Sequence, residues 1–308
     1  MNQTSPPVAS TPGIMLIRVG QAGGALRWDA AGRCWRWPDP QGGQLYAWPA
    51  PAGMPSGVRM QESASVMACC DSGRVLLGLG KRLGMLELPA PGQPSRALQA
   101  QVLTTIDAAE PRTVISDGRT DRGGNFVFGT ANTAQDRRPI GSFYQYSRRH
   151  GLRRLALPVV VTAGSIAFSV DGRRMYFADT AGGAIMQGEY DAERATVGKV
   201  KTFAAVVQQG AGAAIVDSGG HLWSVQGGAL VEYDGGGQVR RQISLAREPA
   251  ASVAFGGVGL SQLLVLGAQG GLYGLPTDLA AGLAKGVNDT PFDDSDMAPV
   301  AVAQRVQR

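Results

Sequence analysis

One turn pattern recurs along this chain and leaves few folds open to it: a short apolar strand, an Asp or its substitute, variable residues that include Gly, then a second apolar strand. The copies begin at Asp29, Asp71, Asp121, Ser169, Asp217 and Phe255, the last degenerate, so the spacings are 42, 50, 48, 48 and 38 residues. Each interval has room for further strand-like runs, such as 44–48 and 141–146, which suits four short antiparallel strands per copy. The Asp and Gly are required locally, because a hairpin between twisted strands needs positive φ and an acceptor for its own amides. The five aspartates 29, 71, 121, 171 and 217 are therefore read as structural.

A four-stranded sheet cannot bury both of its faces alone, so six of them must stack around an axis and the ring must close. The sequence thus predicts an all-β chain folded as one six-bladed β-propeller over 14–275. The apolar run 14–19 is expected to close it by pairing with the last blade after 271–275. Residues 1–13 read as a flexible leader and 276–308 as an extension, with 288–296 acidic and flexible and 297–308 a peripheral helix or unstructured.

Composition agrees with this architecture. With 44 Gly, 18 Pro, 44% hydrophobic and 17% charged residues, the chain has abundant turn chemistry and enough apolar material for a core, which excludes disordered and collagen-like classes. The most apolar stretch, 155–168, is interrupted by Pro158, Thr162, Gly164 and Ser165, so no membrane-spanning run is expected. The leader lacks a basic region and an apolar core, and a cytoplasmic location is the expectation. Cys34, Cys69 and Cys70 are read as reduced thiols, since three is odd and neighbours rarely bridge each other. The charge of +5 raises the question of nucleic acid, above all at 147–154, where four arginines crowd a turn. Without interleaved aromatics for base stacking, that run reads as a solvated hairpin tip, and no nucleic-acid partner is expected.

The segment Ser116-Asp117-Gly118-Arg119-Thr120-Asp121-Arg122-Gly123-Gly124-Asn125-Phe126-Val127-Phe128-Gly129-Thr130 resembles the Asn-Asp-Gly-Lys/Arg-x-Asp-x-x-Gly-x-Phe-x-x-Gly-Thr signature of the senescence-marker-protein/gluconolactonase family. Residues 165–180 and 252–257 resemble two further family segments. The resemblance implies a six-bladed propeller and, in the sugar lactonases, one divalent cation held in the channel by Glu, Asn and Asp. The positions that match those ligands are Gly24, Gly164 and Gly212, and the family's substrate-binding Arg and Asn correspond to Val114 and Ser116.

The repeat itself supplies a second test, since channel-facing residues should lie at one fixed offset from the turn. Five residues upstream of each copy stand Gly24, Val66, Ser116, Gly164, Gly212 and Ala250. Hard divalent cations need several oxygen ligands, and no carboxylate stands in this ring, so neither a metal nor a cofactor is expected. Ser116, Asp117 and Arg119 are the candidate catalytic residues, with Asp117 the candidate acid–base group, and Glu62 lies at a neighbouring blade entrance. The sequence reading is a diverged, metal-independent relative of the lactonases that acts on or binds a small organic molecule in its channel. A conventional metal-dependent lactonase and a non-catalytic binding propeller remain the alternatives.

Overall fold

The computed structural model describes residues 8–9, 13–49, 53–89, 96–208, 210–245, 248–275, 280 and 282–295. Six four-stranded antiparallel sheets surround a central axis in chain order. Their innermost strands are Arg27–Asp29, Val66–Cys69, Thr113–Thr120, Ala163–Phe168, Ala211–Val216 and Ala250–Gly256, for blades 1 to 6. Each blade then steps outward through consecutive hairpins, apart from blade 6, whose outermost strand is Ile14–Arg18. That strand pairs antiparallel with Gly271–Gly274, Ile14 opposite Gly274 and Arg18 opposite Gly271, as the sequence predicts. Among the described residues no helix is long and apolar enough to cross a membrane.

The core is divided among the blade interfaces. Leu45, Met67 and Leu77 pack between blades 1 and 2, Phe126 and Met85 between 2 and 3, and Phe143 and Phe177 between 3 and 4. Tyr176 and Tyr233 lie between 4 and 5, Trp223 and Phe255 between 5 and 6, and Trp35 and Leu266 between 6 and 1. This is why the strands read as nearly continuous apolar runs: a blade inside the ring is covered on both faces.

The turn aspartates behave as local acceptors. Asp121 takes the N–H groups of Gly123 and Asn125 at 2.8 and 3.0 Å, and Asp217 takes those of Gly219 and His221 at 2.9 and 3.0 Å. Asp71 is the departure, being exposed, and the Ser72 N–H donates to Asp294 at 3.2 Å instead. The arginine-rich hairpin tip is also as expected in form, with its turn between Phe143–Ser147 and Gly151–Arg154. Arg148 approaches Asp293 at 3.6 Å and Arg149 approaches Glu193 at 4.0 Å. The three cysteines are unpaired thiols, and burial pushes Cys69 up to about 12.

Two stretches at the ends pack against the ring. Val8–Ala9, inside the stretch expected to be a flexible leader, adds a parallel fifth strand to blade 5 beside Val239–Ser244. Residues 283–295, expected to include a flexible acidic segment, instead form a strap across the face that carries the turn aspartates. It touches blade 6 through Gly286 N–H to Leu260 O and blade 5 through Ser218 N–H to Lys285 O. On the far side it reaches blade 2, where Phe292 N–H donates to Cys69 O, and blade 3, where Asp293 N–H donates to Gly124 O. Phe292 is completely buried, with its ring stacked 5.9 Å from that of Tyr146, and apolar burial of this kind outweighs the acidity of its neighbours. The expectation for 297–308 falls outside the described residues.

Phe292→Ala should lower unfolding free energy by about 3–5 kcal/mol, the usual cost of a large aromatic-to-alanine cavity, read from the urea midpoint at constant slope.

Candidate functional site

On the face opposite the strap, the innermost strands begin around a cavity of about 210 Å³, roughly seven waters' worth of space. Its walls include Gly24, Val66, Ser116, Asp117, Gly164 and Gly212, so five of the six residues chosen by the repeat offset meet there. The sixth place is taken by Ala251, where Ala250 was expected. The physical cause is a β-bulge between Ala250 and Ser252, which shifts the strand by one residue. Similar irregularities interrupt the innermost strands of blades 3, 4 and 5, at Ile115/Asp117, Gly164/Ala167 and Ala211/Ala214. They bring consecutive residues to the axis, Ser116 with Asp117 among them, and the strand alternation read from sequence gives no sign of this.

Three expected site residues lie elsewhere. Val114 is absent from the cavity wall and sits opposite Ala131 in blade 3. Glu62 makes an ion pair with Arg82 and does not line the cavity. Arg119 is buried and directed toward the strap, its Nη1 2.5 Å from Asp289 Oδ1. Ser116 does line the cavity, but its hydroxyl donates to Ala163 O at 2.9 Å, which ties blade 3 to blade 4.

Asp117 is the only carboxylate on the cavity wall among the described residues. Its Oδ1 accepts the Gly118 N–H at 2.8 Å and its Oδ2 the Ile166 N–H at 3.0 Å. Burial raises its pKa above the ordinary aspartate value, against the opposing pull of the Ile166 amide and of Arg27 and Arg119. Three further hydroxyls of the wall bond within the ring: Ser65 donates to Ile115 O at 3.0 Å, Thr180 to Ala211 O at 3.2 Å, and Ser252 accepts from Leu26 N–H at 2.9 Å.

Two residues outside the expected set complete the axis. Arg27, on blade 1, is buried beneath the cavity; its guanidinium donates to Leu26 O at 2.7 Å and also to Gly118 O. Asp289, on the strap, faces both Arg119 and Arg27, the latter at 3.9 Å. Burial and the neighbouring Arg119 lower Arg27 to about 10, while Asp289 and Asp117 oppose them. Burial works against ionising Asp289, yet Arg119 and Arg27 hold it below the usual carboxylate range. A signal for Arg27 exists in the sequence, since it precedes its turn aspartate by two residues as Arg119 does. Asp289 lies outside the repeat and has no such signal.

The glycines at the ligand-matching positions divide into two kinds. A Cβ on Gly24 would lie 2.7 Å from Pro38 O and 2.8 Å from Ser65 O, and one on Gly164 would lie 2.7 Å from both Ala211 O and Thr180 Oγ1. At Gly212 the nearest atom would be 3.7 Å away. Backbone crowding thus excludes a side chain from two of the three without movement of the ring.

Away from the axis, on blade 5, Asp217, His221 and Glu232 bring ligand-type atoms within 4.8 Å of one another. His221 Nδ1 lies 3.1 Å from Asp217 Oδ2 and 3.5 Å from Glu232 Oε1, and Arg240 Nη1 lies 3.0 Å from Nε2. Arg240 and Arg241 both face Glu232, so this is a charge-compensated network at the turn.

Residues 22–269 match the model of the SMP-30/Gluconolactonase/LRE-like region. An L-arabinolactonase from Azospirillum brasilense is 31% identical over 258 residues, covering 81% of this chain and 82% of that protein. Among solved structures, a calcium-binding regucalcin from Agrobacterium tumefaciens superposes with a TM-score of 0.78 at 21% identity, over 91% of this chain and 97% of the other. A luciferin-regenerating enzyme does so with a TM-score of 0.80 at 18% identity, over 92% and 98%. At those identities the two structures speak for the fold.

The crowding argument has a direct check. Gly24→Ala and Gly164→Ala should each destabilise by about 1–3 kcal/mol, as overpacking does, whereas Gly212→Ala should stay within about 0.5 kcal/mol of the parent in thermal or urea unfolding.

Proposed function

The chain belongs to the SMP-30/gluconolactonase/LRE-like family, and from that premise we propose that it is a diverged member that acts on a small organic molecule in the axial cavity through Asp117, without the divalent cation of the sugar lactonases. The observation that carries this reading is the isolation of Asp117, among the described residues the one carboxylate on a wall otherwise made of glycine, alanine, valine, proline, serine and threonine. A hard cation would need several oxygens converging from different strands, and one carboxylate that already accepts two backbone amides does not fit that requirement. The crowding at Gly24 and Gly164 supports the same reading.

A raised pKa suits Asp117 to proton transfer. With a cyclic ester in the cavity, Asp117 takes the proton of an attacking water as the new C–O bond forms. It then returns that proton to the ring oxygen as the ester C–O bond breaks. A Lewis-acid metal contributes several kcal/mol, at tenfold in rate per 1.36 kcal/mol, so the reaction run this way is slow or uses a more reactive ester than an aldonolactone. The substrate class is accordingly a compact ester or lactone less polar than a sugar lactone.

A second reading, conventional metal-dependent lactonase activity, is favoured by the identity with the L-arabinolactonase. A binding propeller without catalysis is the third. Assay of a lactone panel with and without chelator, alongside metal analysis of the purified protein, separates them. The proposal expects hydrolysis that is insensitive to chelator and lost by at least about 100-fold in a folded Asp117→Asn variant. Its rate should fall as pH drops through the raised pKa of Asp117, because the base form is consumed by protons. Stoichiometric metal with chelator-sensitive turnover would establish the second reading, and tight ligand binding indifferent to Asp117→Asn the third.

A further inference from the structure

The strap does more than cover a face. It carries a single carboxylate, Asp289, to the axis, directly beneath the floor of the cavity, where Arg27 from blade 1 and Arg119 from blade 3 converge. Both arginines are 5% exposed or less, and both act electrostatically on Asp117. Without a counter-ion, two buried guanidiniums would stand next to the one carboxylate of the cavity, and Asp117 would become their partner. We propose that Asp289 is a positioning residue for Asp117: by occupying Arg27 and Arg119 from below, it leaves the cavity carboxylate facing the ligand instead of locked into an ion pair.

The charges around Asp117 can be counted by element. Blade 1 contributes Arg27, and blade 3 contributes Arg119 on the same strand as Asp117, with Arg122 at the turn, itself coupled to Asp289 and Arg119. Blade 2 contributes Ser65 and Val66 to the cavity wall, blade 4 Gly164 and Thr180, blade 5 Gly212 and Ala213, and blade 6 Ala251 and Ser252, none of them ionisable. Cys69 of blade 2 lies near enough to couple to Arg27, but burial keeps it a neutral thiol. The charges that act on Asp117 are therefore Arg27 and Arg119, beside its burial and its two backbone amides, and the anion on the strap reaches it through those two cations, which it faces. An ion pair among buried groups is also where loss of one partner has the largest effect, since the other is left uncompensated.

This inference rests on Asp117 being the acid–base group, and the two fail separately: turnover of Asp117→Asn tests that role, whereas the titration of Asp117 tests Asp289. The experiment follows carboxyl carbons of ¹³C-aspartate-labelled full-length protein across pH, with the Asp117 signal assigned by its disappearance in Asp117→Asn. In Asp289→Asn the Asp117 midpoint should fall by about one pH unit or more, the usual effect of an unscreened neighbouring cation. Adding Arg119→Gln to that variant should bring the midpoint back toward the parent, and Asp289→Glu should leave it in place. A merely structural strap would lower stability without moving the titration, so a folded Asp289→Asn with an unmoved midpoint overturns the proposal. Should Asp289→Asn not fold, Arg119→Gln alone decides: one cation fewer should raise the midpoint, and an unchanged value overturns the proposal equally.

Discussion

Everything in this molecule depends on closing the ring. Each blade buries its apolar faces only against its two neighbours, so an open array would leave one face of blade 1 and one of blade 6 in water. The contact of Trp35 and Leu266 across that junction makes the last interface equivalent to the other five. The strand Ile14–Arg18 holds it, because the outermost strand of blade 6 comes from the opposite end of the propeller sequence. Arg18 adds an ion pair to the buried Glu248, which also accepts from the Tyr273 hydroxyl at 2.6 Å. Blade 6 is thereby tied across more than two hundred residues by both ladder and side chain.

Closure brings six strand ends to one axis, and the bulges then determine what faces it. A regular strand shows alternate residues to the channel, whereas a bulged one shows two in succession. That local departure places Asp117 beside Ser116 on the cavity wall. The opposite face is treated differently, since the strap packs there through Phe292 and brings Asp289 to the two axial arginines. The cavity end of the axis carries one carboxylate, Asp117, and the other is crossed by the strap, where Asp289 faces Arg27 and Arg119.

The candidate site was partly legible. The fixed offset from the turn identified Gly24, Val66, Ser116, Gly164 and Gly212 because the repeat preserves strand length from blade to blade. It missed at Ala250, where a bulge adds a residue to the count. Arg119, a candidate catalytic residue in the sequence, lies two residues along the strand from Asp117, which is enough to carry its long side chain to the strap. Thr162 and Thr180 carried no signal, since they enter the wall from loops between blades and strands.

The sequence by itself determined the six blades, their turns and the closing strand, because each of these follows from apolar runs and turn residues that act over a few positions and repeat. Tertiary structure alone decided which polar groups meet. Arg27, Asp117, Arg119 and Asp289 come from two blades and a strap outside the repeat, and no local rule relates them. Their association is fixed by burial, since charges removed from water near the axis must find each other there. The same holds for the glycines: the sequence showed that side chains are missing at Gly24 and Gly164, and only the carbonyls of Pro38, Ser65 and Ala211 showed that there is no room for them.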